Sequence, residues 1–194
     1  MKEQSLILGV ALFNGIFIYP YIKKAYRSFY SVRATPTHYA FMDIEIDGKD
    51  AGRVNFELFG KDAPKTVNNF LAFCSGDFNN YTRYRDSYIH KVVHGKFIKG
   101  GDFMNGDGTG AATVYDSTTM PAEKNSLTFK EPYLLAASAN SEGQVGSQFI
   151  ITLDSLSPLD GSDHTIFGRL ISGRETINQI EGMDSFKQAK LQAQ

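Results

Sequence analysis

The sequence predicts a mainly β fold, a closed barrel capped by two helices, with a membrane-spanning helix ahead of it. Three observations carry that reading. Short runs between Tyr39 and Leu170 alternate apolar and polar residues. The period changes to helical in only two stretches, around 64–76 and 173–183. Ser5–Ile22 contains no charged residue at all. The chain has 194 residues, which suits one domain and an extension, and 42% of them are hydrophobic, enough for a packed core.

Taken in order, "SLILGVALFNGIFIYPYI" comes first. It falls within the roughly 17–25 residues that cross a bilayer as a helix. Tyr19 and Tyr21 stand where an interfacial belt would lie, while Asn14 and Pro20 weaken the signal. A cleaved signal peptide, a mitochondrial presequence and a buried helix are the alternatives. The first of these needs a small-residue cleavage site, and "YPYIKKAYRSFY" supplies no good one. Lys23, Lys24, Arg27 and Arg33 follow the run and only Lys2 precedes it, so the folded domain is expected on the cytoplasmic or matrix side. Residues 1–36 are read as anchor and linker, and residues 37–194 as the folded domain. A glycosylation triplet at Asn80 would go unused in that orientation.

"YAFMDIEIDG" alternates and ends in Asp47-Gly48, a hairpin signal, and "GRVNFELF" alternates again. In "APKTVNNFLAFCSG", Val67, Phe70, Leu71 and Cys74 share one helical face between Pro64 and Gly76. "YIHKVV", "KFIKGG", "YLLAAS", "SQFIITL" and "TIFGRL" read as further short strands. "GRETINQIEGM" places Ile177 and Ile180 on one face of a last helix. After it, "EGMDSFKQAKLQAQ" shows no apolar alternating run, so no closing strand is read there, and a partner or the linker "SVRATPTHY" would cover the edge that leaves open.

Other function classes find little support. With 20 Lys+Arg against 21 Asp+Glu there is no basic excess for nucleic acid. Cys74 is alone, so no intrachain disulfide forms. His90, His94, His164 and Asp102 lack metal-ligand spacing, and no cofactor or metal is expected. "GDGTGAA" opens no helix and carries no P-loop Lys-Ser/Thr. Ser147 in "GSQF" lacks the flanks of a nucleophile elbow. His90 is read as a structural histidine and His94 as an exposed turn residue.

"GRVNFELFGKDAPKTVNNFLAFCSG", "IHKVVHGKFIKGGDFMNGDGTG", "SANSEGQVGSQFIIT" and "LDGSDHTIFGRL" occur in this order from about Phe41 to Ile180. Together they resemble the cyclophilins, which are peptidyl-prolyl cis-trans isomerases. The resemblance implies an eight-stranded antiparallel barrel capped by two helices, with a peptide groove along its outside that takes X-Pro segments.

Rotation about a peptide bond breaks amide resonance against a barrier of roughly 18–20 kcal/mol. A catalyst needs no nucleophile or metal. It needs an apolar seat for the proline ring and a fixed cationic donor for the twisted amide nitrogen. The resemblance places that donor, an arginine after a histidine, at Lys91. Lysine keeps the charge and loses the planar fork. By the same resemblance Lys96 replaces a pocket phenylalanine, Phe97 a methionine and Lys99 a glutamine. Ile150 replaces a second phenylalanine, and Pro158 a tryptophan found in many members. Ala139, Asn140, Gln148, Leu159 and His164 match. An ammonium in an apolar pocket is costly, so Lys96 is expected to turn to water. The expectation is a domain with weak or no turnover, kept for peptide binding or architecture and acting as an accessory or structural subunit of a larger membrane complex. Its partners would be a proline-containing peptide or protein, neighbouring subunits, and lipid through residues 5–22. The mitochondrial inner membrane is the favoured setting. An active, membrane-tethered isomerase is the alternative.

Overall fold

A computed structural model describes residues 32–76, 82–183 and 189–193. The chain divides into two compact units, 1–33 and 34–194, and of the first only Val32 and Arg33 are described. The expected membrane helix at 5–22 and the Asn80 triplet lie outside the described residues. Among the described residues no helix is long and apolar enough to cross a membrane.

The second unit is a nearly closed antiparallel barrel. β1 (His38–Ile46) and β2 (Lys49–Leu58) form the hairpin expected from Asp47-Gly48. Their alternation sends Ala40, Met42, Ile44, Val54 and Phe56 inward. On the other face Arg53 grips its cross-strand partner Asp43 through two bonds of 2.6 and 2.8 Å. Then come β3 (Tyr88–Ile89), β4 (Lys91–Val93), β5 (Phe97–Gly100), β6 (Met120–Pro121), β7 (Leu134–Ala139), β8 (Gln144–Thr152), β9 (Thr165–Ser172) and β10 (Ala189–Ala193). The pairing order is β3-β10-β1-β2-β9-β7-β8-β5-β4, with β6 added to β8. β3 and β4 are two halves of one run interrupted at His90. One half pairs β10 and the other pairs β5, so the sheet returns on itself. With β6 a two-residue bridge, the barrel has the eight principal strands expected.

The absence of a closing strand is corrected. β10 pairs β1 from Met42↔Ala193 to Ile46↔Ala189, and Leu191 is buried. "AKLQA" does alternate, but two of its three apolar positions are alanines, which weakens the signal. The edge of β1 therefore needs no outside partner.

α1 (Pro64–Ser75) begins on Pro64 and ends at Gly76, which is left-handed at φ 72° and donates its N–H to Ala72 O. No side chain at its own N-cap serves the first turn. Glu123 does so from a distant loop, accepting the N–H groups of Lys65 and Thr66 at 3.1 and 2.7 Å. α1 packs against β8 and β9. Its Phe70 and Phe73 meet Tyr84, Phe103, Phe149 and Phe167 at centroid distances of 4.9–5.7 Å. Here Phe73 is buried and the expected Leu71 only partly so, because the face that meets the barrel is rotated towards Phe103. α2 (Arg174–Glu181) buries Ile177 and Ile180 as expected and packs against β2 and β4.

Candidate functional site

The site is built on the outer face of β4, β5, β8 and β7. Register places Lys91 opposite Lys99, Lys99 opposite Ile150, and Ile150 opposite Ala136. Directly opposed residues share a face. These four therefore form a transverse row, on the opposite side of the sheet from Phe149 and Ile151 in the core. The row changes character along its length. Ile150 and Ala136 are buried, Lys99 is half-buried and Lys91 is exposed. Two residues along β5 from Lys99, Phe97 lies on the same face, half-buried. Lys96 stands exposed in the β4–β5 turn, as expected.

Beside Lys99 the loop 102–110 is drawn tight around Asp102. Its carboxylate accepts backbone N–H groups from Asn105, Gly108 and Gly110 at 2.8–3.0 Å. Burial pushes the Asp102 pKa up. The N–H groups of Asn105, Gly110, Gly108 and Gly106 outweigh it and hold the carboxyl below its usual range. Gly108, at φ 92°, brings this loop over the His90 ring, where a Cβ would come within 3.1 Å of two ring atoms. His90 is wedged there as a structural group. Burial, then the charge of Lys99, lowers its pKa.

Gln148 ties β8 to the same loop, its Nε2 donating to Gly108 O and Gly110 O at 2.8 and 2.6 Å. Those two carbonyls fix which way the amide points. Its Oε1 is buried without a donor among the described residues. Asn140 folds the β7–β8 turn, its Oδ1 accepting the N–H groups of Glu142 and Gln144 at 2.9 and 3.0 Å. His164 accepts the Ala139 N–H on Nδ1 at 3.0 Å, which assigns the proton to Nε2. Burial is the main cause of its lowered pKa. Leu159 is half-buried in a short 3-10 turn, Ser157–Leu159.

A cleft of about 220 Å³ opens between these elements. Of the residues singled out from sequence it gathers Lys99, Ala139, Asn140 and Gln148. Lys91, Lys96, Phe97, Ile150, Leu159 and His164 lie outside its lining. Sequence reasoning missed Thr109, Thr119 and Gln144 in the wall, where Thr119 Oγ1 and Gln144 Oε1 are 2.5 Å apart. Only the glycine-rich "GDGTG" gave any hint of a close backbone approach there. Among the described residues no group of His, Cys, Asp and Glu could hold a metal ion.

The motifs behind this geometry have a wider counterpart. Residues 41–194 match the family model for cyclophilin type peptidyl-prolyl cis-trans isomerase/CLD. A peptidyl-prolyl cis-trans isomerase 9 of Caenorhabditis briggsae is 36% identical over 150 residues, covering 74% of this chain. The aligned part spans 47%, about half, of that relative's length. A match over most of the chain, on a barrel of the expected topology, places the protein in the cyclophilin-type peptidyl-prolyl cis-trans isomerase family.

Proposed function

We propose that this cyclophilin-type domain binds proline-containing segments while turning them over weakly or not at all, and that it serves as a membrane-anchored accessory subunit. One observation carries the catalytic half. Lys91, at the position where the family places its arginine, is exposed, and among the described residues its ammonium has no hydrogen-bond or ion-pair partner. Stabilisation of a twisted amide depends on a donor held in place before the reaction. A single bond on a free four-carbon stem is poorly held. The proline seat is altered as well, since Ile150 is buried at 2% exposure and Lys96 offers only a solvated stem.

Retention of His164, Asn140, Ala139 and Gln148 favours the second reading, an active tethered isomerase. Cis-to-trans conversion of a proline peptide by the purified full chain separates the two. Loss of one fixed donor of this kind costs about 10²–10³ in rate, so turnover is expected near background. Lys91→Arg combined with Lys96→Phe is expected to raise it. Rapid turnover by the unaltered chain overturns the reading.

The anchoring half rests on the uncharged run Ser5–Ile22 and on the cations that follow it. Those cations would set the domain on the cytoplasmic or matrix side, with the mitochondrial inner membrane as the favoured setting. β10 removes one argument for a partner, because the barrel edge is already paired. Sizing the protein after gentle solubilisation of its native membrane tests the subunit role, which a free monomer contradicts.

A further inference from the structure

The two lysines of the outer row cost stability where they stand. Lys91 and Lys99 are direct cross-strand partners, an arrangement of like charges that destabilises a sheet. Lys99 is also half-buried. Among the described residues no carboxylate lies within ion-pairing distance of either ammonium. Asp102, the carboxylate whose charge reaches Lys99, has its oxygens bonded to the backbone N–H groups of its own loop. Burial first, then the charge of Lys91, depresses the Lys99 pKa, with Asp102 only partly opposing them. The cleft that Lys99 lines is otherwise walled by uncharged polar groups and small residues, including Thr109, Thr119, Gln144 and Asn140. A concave, polar site with one unpaired cation and a second behind it suits an anion that arrives from outside.

Geometry narrows the anion to a side chain on a peptide. Lys99 and the apolar Phe97 stand at i and i+2 on one face of β5, about 7 Å apart along the strand. An extended peptide running past both covers that span in about two residues. We propose that Lys99, backed by Lys91, makes this groove selective for extended proline-containing segments with an Asp or Glu about two residues from the proline. The inference rests on the peptide-binding reading above and adds the charge of the ligand to it.

Binding of labelled Ala-Pro peptides to the purified full chain, followed by fluorescence anisotropy at low salt, tests it. One Glu is moved stepwise along the peptide, each position matched by its Gln isostere. At one register the Glu peptide should bind about tenfold tighter than its Gln twin. The preference should fade at high salt, as screening requires. Lys99→Gln should abolish it and Lys99→Arg retain it, both variants melting as cooperatively as the parent. Equal binding of Glu and Gln peptides at every register overturns the charge selectivity and leaves peptide binding standing. Failure of every peptide to bind overturns both. A preference that survives in Lys99→Gln assigns the selectivity elsewhere and overturns this assignment.

Discussion

The fold treats two of the cations on the outer face of this barrel in opposite ways. Arg169 on β9 is almost fully buried and is met by Glu57 at 2.5 Å and Glu131 at 3.5 Å, while its guanidinium lies over the Phe59 ring. Lys99 on β5 is half-buried and receives no carboxylate among the described residues. A charge taken from water needs both a counter-charge and hydrogen bonds. The fold gives Arg169 two carboxylates. It sets the like charge of Lys91 across the strand from Lys99, and the charge of Asp102 only partly opposes it. The first arrangement is a structural joint between β2, β9 and the chain before β7. The second is left open on the proposed peptide-binding side.

The largest expected effect is on the closed pair. Arg169→Met strips Glu57 and Glu131 of their buried guanidinium. It should lower unfolding free energy by about 3–5 kcal/mol, read from urea melts at neutral pH. A loss below about 1 kcal/mol, the scale of a surface pair, would sink the idea that the two cations differ in kind.

An apolar deletion calibrates that number and tests β10. Leu191 is 1% exposed on the closing strand. Leu191→Ala should cost about 2–5 kcal/mol if the strand closes the barrel. A near-neutral result would instead mean that β10 adds nothing to closure, and would restore the case for a partner on the edge of β1.

The same contrast explains what could be read from the residues. β1, β2 and α1 were legible because local pattern and packing agree there: Ala40, Met42 and Ile44 alternate inward, and Phe70 and Cys74 recur at helical spacing. β10 was hidden because two of the three apolar residues in "AKLQA" are alanines, so backbone pairing rather than side-chain pattern defines it. Glu123 on the α1 N-terminus, and Glu57 and Glu131 on Arg169, join residues far apart in sequence. No local period records such a partnership. The candidate site divides along the same line. Family resemblance supplied its positions, including Lys91, Lys99 and Gln148. Whether a lysine there is exposed, paired or half-buried depends on loops such as 102–110, whose course is set by one buried aspartate. Ile150 shows the limit: its position was anticipated and its burial was not.

The smallest expected effect has the opposite sign and bears most directly on the contrast. Lys99→Met removes a charge that the folded state disfavours, so it should stabilise, where Arg169→Met destabilises. Solvent reaches much of Lys99 and screens it, so the gain should be only about 0.5 kcal/mol. Its pH dependence gives a second reading. The folded-state pKa of Lys99 lies below its ordinary value of 10.5, owing first to burial and then to Lys91. At neutral pH both folded and unfolded chains carry the proton, and the full cost of the ammonium is present. As pH rises through the folded-state pKa, the native protein releases the proton first. The unfolded state then binds more protons, and the parent's stability rises with pH relative to the variant. The gap between Lys99→Met and parent should therefore be widest near neutrality and close as pH approaches 10.5. Paired melts at the two pH values decide the matter. A destabilised variant at neutral pH would show that Lys99 is held by favourable contacts like Arg169, and that no open cation awaits a ligand.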